Sequence, residues 1–192
     1  MEQIIAIDPD LDKNGVCVIS HNRVELFTFN YTTLCYVFFK NIRAQMDANL
    51  SLKTHLFIEA GFKNKVYFQP YNTNTFVIGK INRNIGENHA ISKIILESAE
   101  FYHLDPIPAL PVRSTNYRTR GKKITHPQFL KMLELNNLFF EGNVTNQETR
   151  DAALLAVTYG INKENNVVLK DENKKATPQF YDETIDEVAS NV

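Results

Sequence analysis

"IIAIDPDLDKNGVCVIS", residues 4–20, is an apolar run that ends in a carboxylate and, after a polar turn, resumes as a second apolar run. Asp8 closes the first run, and Asp10 and Asp12 follow at once. "IIAID" (4–8) and "VCVIS" (16–20) are short and rich in β-branched residues. Asn14-Gly15 lies just before the second, and "HNR" separates it from "VELFTFN" (24–30). β-branched and aromatic side chains suit a pleated surface, whereas Asn, Gly and Asp suit turns. Three antiparallel strands are expected. Carboxylates that repel one another at a strand end call for a balancing positive charge.

Outward from this stretch, element types alternate. "TTLCYVFFKNIRAQMDANL" (32–50) carries Leu34, Phe38, Ile42, Met46 and Leu50 at four-residue spacing, which predicts an amphipathic helix capped by Thr32 or Thr33. "THLFIEA" (54–60) has the length of a buried strand and also ends in a carboxylate, Glu59. A loop is expected to about residue 74. Residues 75–102 are helical in pattern but interrupted by Gly79 and Gly86, and "IPALPV" (107–112) predicts a strand limited by proline. "THPQFLKMLELNN" (125–137) opens with a capping box, Thr125 to Gln128, and a last helix is expected over 146–161. The order βββαβαβαα implies an α/β fold: a mixed sheet, three antiparallel strands first, with helices on both faces.

Composition sets the class. With 192 residues, 43% hydrophobic content and no 18-residue apolar run, the chain suits one soluble domain and no membrane span. "MEQIIAI" lacks the basic start of a secretory signal, so a cytoplasmic location is expected. Cys17 and Cys35 sit in apolar surroundings without metal-ligand spacing and are expected as reduced core thiols. The polar, acidic stretch 163–192 is expected to be a flexible tail outside a domain spanning 1–162.

The net charge of −1 conceals a strongly uneven distribution. Residues 61–131 hold eleven Lys or Arg against four Asp or Glu, while residues 1–60 hold five against seven. The densest part, "RSTNYRTRGKK", places Arg113, Arg118, Arg120, Lys122 and Lys123 among Gly, Thr, Asn and Ser. Such a segment is either a phosphate-binding loop or simply a soluble surface loop.

The acidic residues can now be placed. Asp8 and Glu59 end two strands, and Glu148 and Asp151 lie three residues apart in the first turns of the last helix, on one face. Strand ends of an open sheet face the crevice where ligands bind. Mg²⁺ or Mn²⁺ would relieve the repulsion there, because hard divalent ions take oxygen ligands, and a pair of them suits phosphodiester hydrolysis.

These residues resemble a known family. "IIAIDPDLDKNGVCVI" is similar to the first strand pair of RuvC-type Holliday-junction resolvases, and "LFIEAGF" to their second acidic strand. "IGENHAISKIILESA" is similar to the helix that follows, and "ETRDAALLAVTYG" to their final acidic helix. The resemblance spans roughly residues 4–161 in the family's order. It implies an RNase H-like (retroviral-integrase) fold, a homodimer, and paired symmetric nicks in four-way DNA junctions. It also implies two Mg²⁺ or Mn²⁺ per active site, held by Asp8, Glu59, Glu148 and Asp151, and products with 5′-phosphates and 3′-hydroxyls. DNA contacts are implied for Phe62, whose position matches a stacking aromatic, and for Lys123, which resembles a basic residue near the scissile phosphate. Lys63, Lys65, Arg118, Arg120 and Lys122 are basic candidates beside them, and Tyr67 and Phe68 share the loop with Phe62. An Asn- and Lys-rich chain without Trp hints at an AT-rich genome, and short divergent resolvases often resemble phage versions.

Two positions depart from the family. Asp10 stands where Gly usually follows "DP", and Glu148 where Asp is usual. Asp10 restricts the turn and adds charge near Asp8, which leaves open a catalytically silent junction-binding protein. An RNase H-like nuclease acting on flap DNA or structured RNA is the other alternative. Plainer roles exist for each acid: Asp8 as a turn residue before Pro9, Glu59 as a rim charge, and Asp151 as a favourable charge in the first turns of a helix. Phe62 can pack under its loop. In "TNQE", Thr145 and Glu148 have the spacing of a capping box.

Overall fold

The chain opens with a three-stranded meander: β1 (Glu2–Asp8), β2 (Asn14–Ser20) and β3 (Arg23–Phe29), each antiparallel to the next. The computed structural model describes residues 2–63, 75–112, 123–142 and 145–162. Lys65, Tyr67, Phe68, Arg113, Arg118, Arg120, Lys122 and the stretch 163–192 lie outside the described residues. The turn from β2 to β3 is formed by His21 and Asn22, with φ of 51° and 62°. Two consecutive left-handed residues match the twist of the strands they join.

β4 (Lys53–Glu59) lies parallel to β1, and β5 (Ile107–Ala109) lies parallel to β4. A two-residue strand, β6 (Phe139–Phe140), joins the outer edge of β3, giving the order β5-β4-β1-β2-β3-β6. A meander with parallel strands added on the free side of β1 makes a mixed sheet with its three antiparallel strands first, as expected. β6 was not foreseen, because two residues carry no readable alternation. Its place is fixed by Phe139, whose amide donates to Asn22 O at 2.8 Å.

Alternation along β1 divides the core. Ile4 and Ala6 face α3 (His126–Leu135) and α4 (Gln147–Ala156), packing on Phe129, Met132, Leu154 and Leu155. Ile5 and Ile7 face α1 (Phe39–Ala48) and α2 (Thr75–Phe101), packing on Phe39, Ile42, Ile95 and Ala99. Helices therefore cover both faces of the sheet, and the central strands are apolar on both sides. Each fully buried Ile, Leu or Phe contributes roughly 1.5–3 kcal/mol, and among the described residues the fully buried members of both clusters fall within residues 4–157. Cys17 and Cys35 are free and buried, as expected. Among the described residues, no helix is long and apolar enough to cross a membrane.

Several expected details differ. The helix expected to start at Thr32 or Thr33 is capped earlier: Asn30 Oδ1 accepts the Thr33 amide at 2.8 Å, and Asn30 O accepts the Leu34 amide at 3.0 Å. Asn is the stronger cap, and it lies at the end of β3. The stretch Thr33–Phe38 is then wound as a π-helix, whose wider turn buries Cys35 and Phe39 where a four-residue spacing pointed to Phe38. The helix ends at Ala48, and Leu50 is 94% exposed rather than part of the apolar face.

α2 runs unbroken through Gly79 and Gly86, which lie on its exposed side with nothing near their missing side chains. A helical glycine costs about 1 kcal/mol, a penalty that the packed face of Ile91, Ile95 and Ala99 outweighs. Only Ile107–Ala109 of "IPALPV" pairs as strand. The last helix continues from α4 into a π-turn, Val157–Ile161.

Candidate metal and nucleic-acid site

The strand register brings the first two acids together. β1 and β4 pair with Ile7 opposite Ile58, so the next residues, Asp8 and Glu59, stand side by side at the strand ends. Adjacent strands are about 4.8 Å apart. By alternation, Asp8 shares the face of Ile4 and Ala6, and Glu59 shares the face of Phe57; both point toward the side covered by α4.

On its other flank, Asp8 pairs with Gly15 of β2. A Cβ at Gly15 would overlap the carbonyl of Glu148 and fall 2.9 Å from the Thr149 amide nitrogen. The missing side chain is what lets the first turn of α4 rest directly on the sheet beside Asp8. Glu148 consequently lines one cleft with Asp8, Asp10, Glu59 and Lys123. Asp151, one turn further along, is 8% exposed and pairs with Lys123 Nζ through Oδ2 at 2.8 Å.

The capping of α4 frees Glu148. The box that the spacing of Thr145 and Glu148 allows is absent, because Asn146 is the N-cap and its Oδ1 accepts the Thr149 amide at 2.8 Å. Thr145 Oγ1 instead accepts from Arg150 Nη1 at 3.0 Å and meets His126 Nδ1 at 2.9 Å. Glu148 is thus the second helical residue rather than the third, out of the position from which a box closes. The box at Thr125 and Gln128 forms as expected.

The electrostatics follow from this packing. The carboxyl of Asp8 is raised well above the ordinary carboxylate range, first by burial, then by the charges of Glu59 and Asp151; Lys123 acts in the opposite sense, and Asp10 adds a small further rise. Asp10 has its own partners: Oδ1 accepts the Asp12 amide at 3.0 Å, and its backbone amide donates to Asn14 Oδ1 at 3.1 Å. Its φ is negative, so a residue with a Cβ fits the turn without strain.

Four supporting residues had not been singled out. Asn14, fully buried, ties the turn after Asp8 to β3 through Nδ2 and Phe29 O at 3.2 Å. Gly15 reads in sequence as half of an Asn-Gly turn, and Asn146 as the neighbour of a plausible cap. Arg150, between two acids, spends its guanidinium on Ile124 O, Thr145 O, Thr145 Oγ1 and Gln147 Oε1 at 2.9–3.1 Å. The fourth wall of the cleft is α2, through Ile85, Asn88, His89 and Ser92, whose i, i+3, i+4, i+7 spacing was the available signal.

Of the DNA-contact candidates, Phe62 and Lys63 lie in a 3₁₀ turn, Gly61–Lys63, just after Glu59. Phe62 is half-buried, with Lys93 Nζ 5.3 Å from its ring centre and the His89 ring edge-on at 6.4 Å. Lys63 is exposed. Lys123 is at the cleft, on Asp151 rather than directed outward.

Among the described residues, no three Asp, Glu, His or Cys side chains stand close enough to cage an ion as they are. The donor chemistry nevertheless fits a hard divalent cation: four carboxylates, of Asp8, Asp10, Glu59 and Glu148, on one cleft, a fifth, Asp151, beside it, and an ammonium already drawn onto that fifth.

No family model matches the chain, and no curated protein does. Among solved structures, it is similar to one described as T. thermophilus RuvC in complex with Holliday junction substrate. The identity is 9% over 85% of this chain and 96% of that one, with a TM-score of 0.49. A second, described as Thermus thermophilus RuvC structure, shows 11% identity, the same coverages and a TM-score of 0.48.

Proposed function

We propose that the chain is a divalent-metal-dependent endodeoxyribonuclease that resolves four-way DNA junctions as a homodimer. The observation that carries this reading is the seating of α4 on Gly15, which brings Glu148 to the cleft where Asp8 and Glu59 end adjacent strands. Asp8, Glu59, Glu148 and Asp151 would hold Mg²⁺ or Mn²⁺, two ions per site. When bound, such ions activate a water and stabilise the leaving oxygen of a phosphodiester.

The protein's own groups divide the remaining work. Asp8 and Glu59 are fixed by the sheet, so their carboxylates need little reorganisation to bind. Lys123, which lines the cleft, would meet a phosphate oxygen near the scissile bond. Lys63 and Lys65, with Arg118, Arg120 and Lys122, would track the backbone, and affinity would then fall steeply with salt. Phe62 would offer a ring to a base exposed at the junction. The nuclease unit on this reading is residues 1–162.

What speaks against the silent-binder alternative is that Asp10 fits its turn, its carboxylate accepting the Asp12 amide at 3.0 Å. Incubation of the protein with labelled four-way, flap and linear DNA, with Mg²⁺ or with EDTA, tests the proposal. Metal-dependent cutting of the four-way junction above the others is expected. Equal cutting of flap or duplex DNA would reassign the substrate, and tight junction binding without cutting under any metal would make this a binding protein.

A further inference from the structure

Among the described residues that line the cleft, Lys123 brings an ammonium, and the backbone that follows it is fixed. Arg150 Nε holds Ile124 O at 3.0 Å, and the capping box of Thr125 begins one residue later. The same guanidinium is anchored to Thr145 and Gln147 beside α4, so the segment carrying Lys123 and the helix carrying Asp151 are clamped together. From that fixed base, Lys123 Nζ reaches Asp151 Oδ2 at 2.8 Å. The pair is asymmetric: the Asp151 side chain is 8% exposed, whereas that of Lys123 is 66% exposed. A buried anion needs a counter-charge, but a cation standing at the solvent edge leaves it at small cost.

We propose that Lys123 is a displaceable counter-cation of the acidic cleft: it neutralises Asp151 in the metal-free chain and yields that carboxylate when a divalent ion binds. Lys123 therefore sets the affinity of the cleft for the ion as well as meeting phosphate. This role rests on the metal site proposed above. Its consequence runs against the usual expectation for an active-site residue, since removing Lys123 should tighten metal binding while weakening the contact with DNA.

The test is a Mg²⁺ titration of the full chain without DNA, followed by melting temperature, for wild type, Lys123→Met, Lys123→Arg and Lys63→Met. Lys123→Met should bind Mg²⁺ about three- to fivefold more tightly, the scale of a largely exposed ion pair. Lys123→Arg, which keeps the charge, and Lys63→Met, which removes an exposed lysine outside the lining of the cleft, should each stay within about twofold of wild type on the same scale. An affinity of Lys123→Met equal to that of wild type, or an equal gain in Lys63→Met, would overturn this role while leaving the metal site standing. Absence of Mg²⁺ binding in every variant would overturn both.

Discussion

Gly15 lies directly under the backbone carbonyl of Glu148, with no room between them for a side chain. Because Gly15 is also the cross-strand partner of Asp8, one missing methyl group sets the spacing between a strand-end acid and a helix-borne acid. Gly15→Ala would push the first turn of α4 off the sheet. The expected stability cost is about 1–3 kcal/mol, as for other overpacked sites, read as a lower melting temperature. Cleavage should fall much further than the folded fraction does. A Gly15→Ala protein that cuts normally would show that the seating of Glu148 is not needed.

Asn146 and Glu148 separate capping from chemistry. Asn146→Ala removes the oxygen that accepts the Thr149 amide and should cost about 1 kcal/mol, the usual scale for a lost N-cap. Glu148→Gln leaves the cap in place and should change stability by less than about 0.5 kcal/mol, yet abolish most cutting at saturating DNA. Thermal melts and single-turnover cleavage of the two variants check this. Normal cutting by Glu148→Gln would remove Glu148 from the site.

In the metal-free chain, the Asp8 carboxyl is held above its ordinary range by burial and then by Glu59 and Asp151, so the folded state binds its proton more tightly than the unfolded state. The stability this supplies is fully present below the unfolded carboxylate pKa of about 3.9 and is lost as pH rises through the folded value. Asp8→Asn should remove that part of the pH dependence and melt higher than wild type at neutral pH without metal. Mg²⁺ should raise the wild-type melting temperature at pH 7 and have little effect on Asp8→Asn. Superimposable melting profiles for the two proteins in EDTA would show that Asp8 is not under repulsion.

Much of this was legible in the residues. The three opening strands follow from short β-branched apolar runs and turn chemistry, the ends of β1 and β4 from Asp8 and Glu59, and the start of α3 from Thr125 and Gln128. Short-range choices that tertiary contacts settle were not legible. Thr145 and Asn146 are both good caps, and Asn146 wins because Arg150 and His126 engage the Thr145 hydroxyl. The π-wound start of the helix leading into α1 shifts the buried positions by one, which no four-residue count foresees. Gly15 looks like a turn residue, and its contact with Glu148 spans more than 130 positions of sequence. Arg150 gave no signal because its partners are backbone and neutral groups, and one of them, Ile124 O, comes from a segment 26 positions away.

The central claim is that Asp8, Glu59, Glu148 and Asp151 form a divalent-metal site that cuts four-way junctions in pairs. Mapping the nicks made in a mobile four-way junction labelled on each strand in turn, with wild type and Glu59→Gln, tests it most directly. In Mg²⁺, wild type should nick two opposed strands at symmetric positions, leaving 5′-phosphates. Glu59→Gln should bind the same junction at least as tightly without nicking it, because loss of a carboxylate lessens repulsion of phosphate. Unpaired nicks scattered over all four strands, or full cutting by Glu59→Gln, would contradict it.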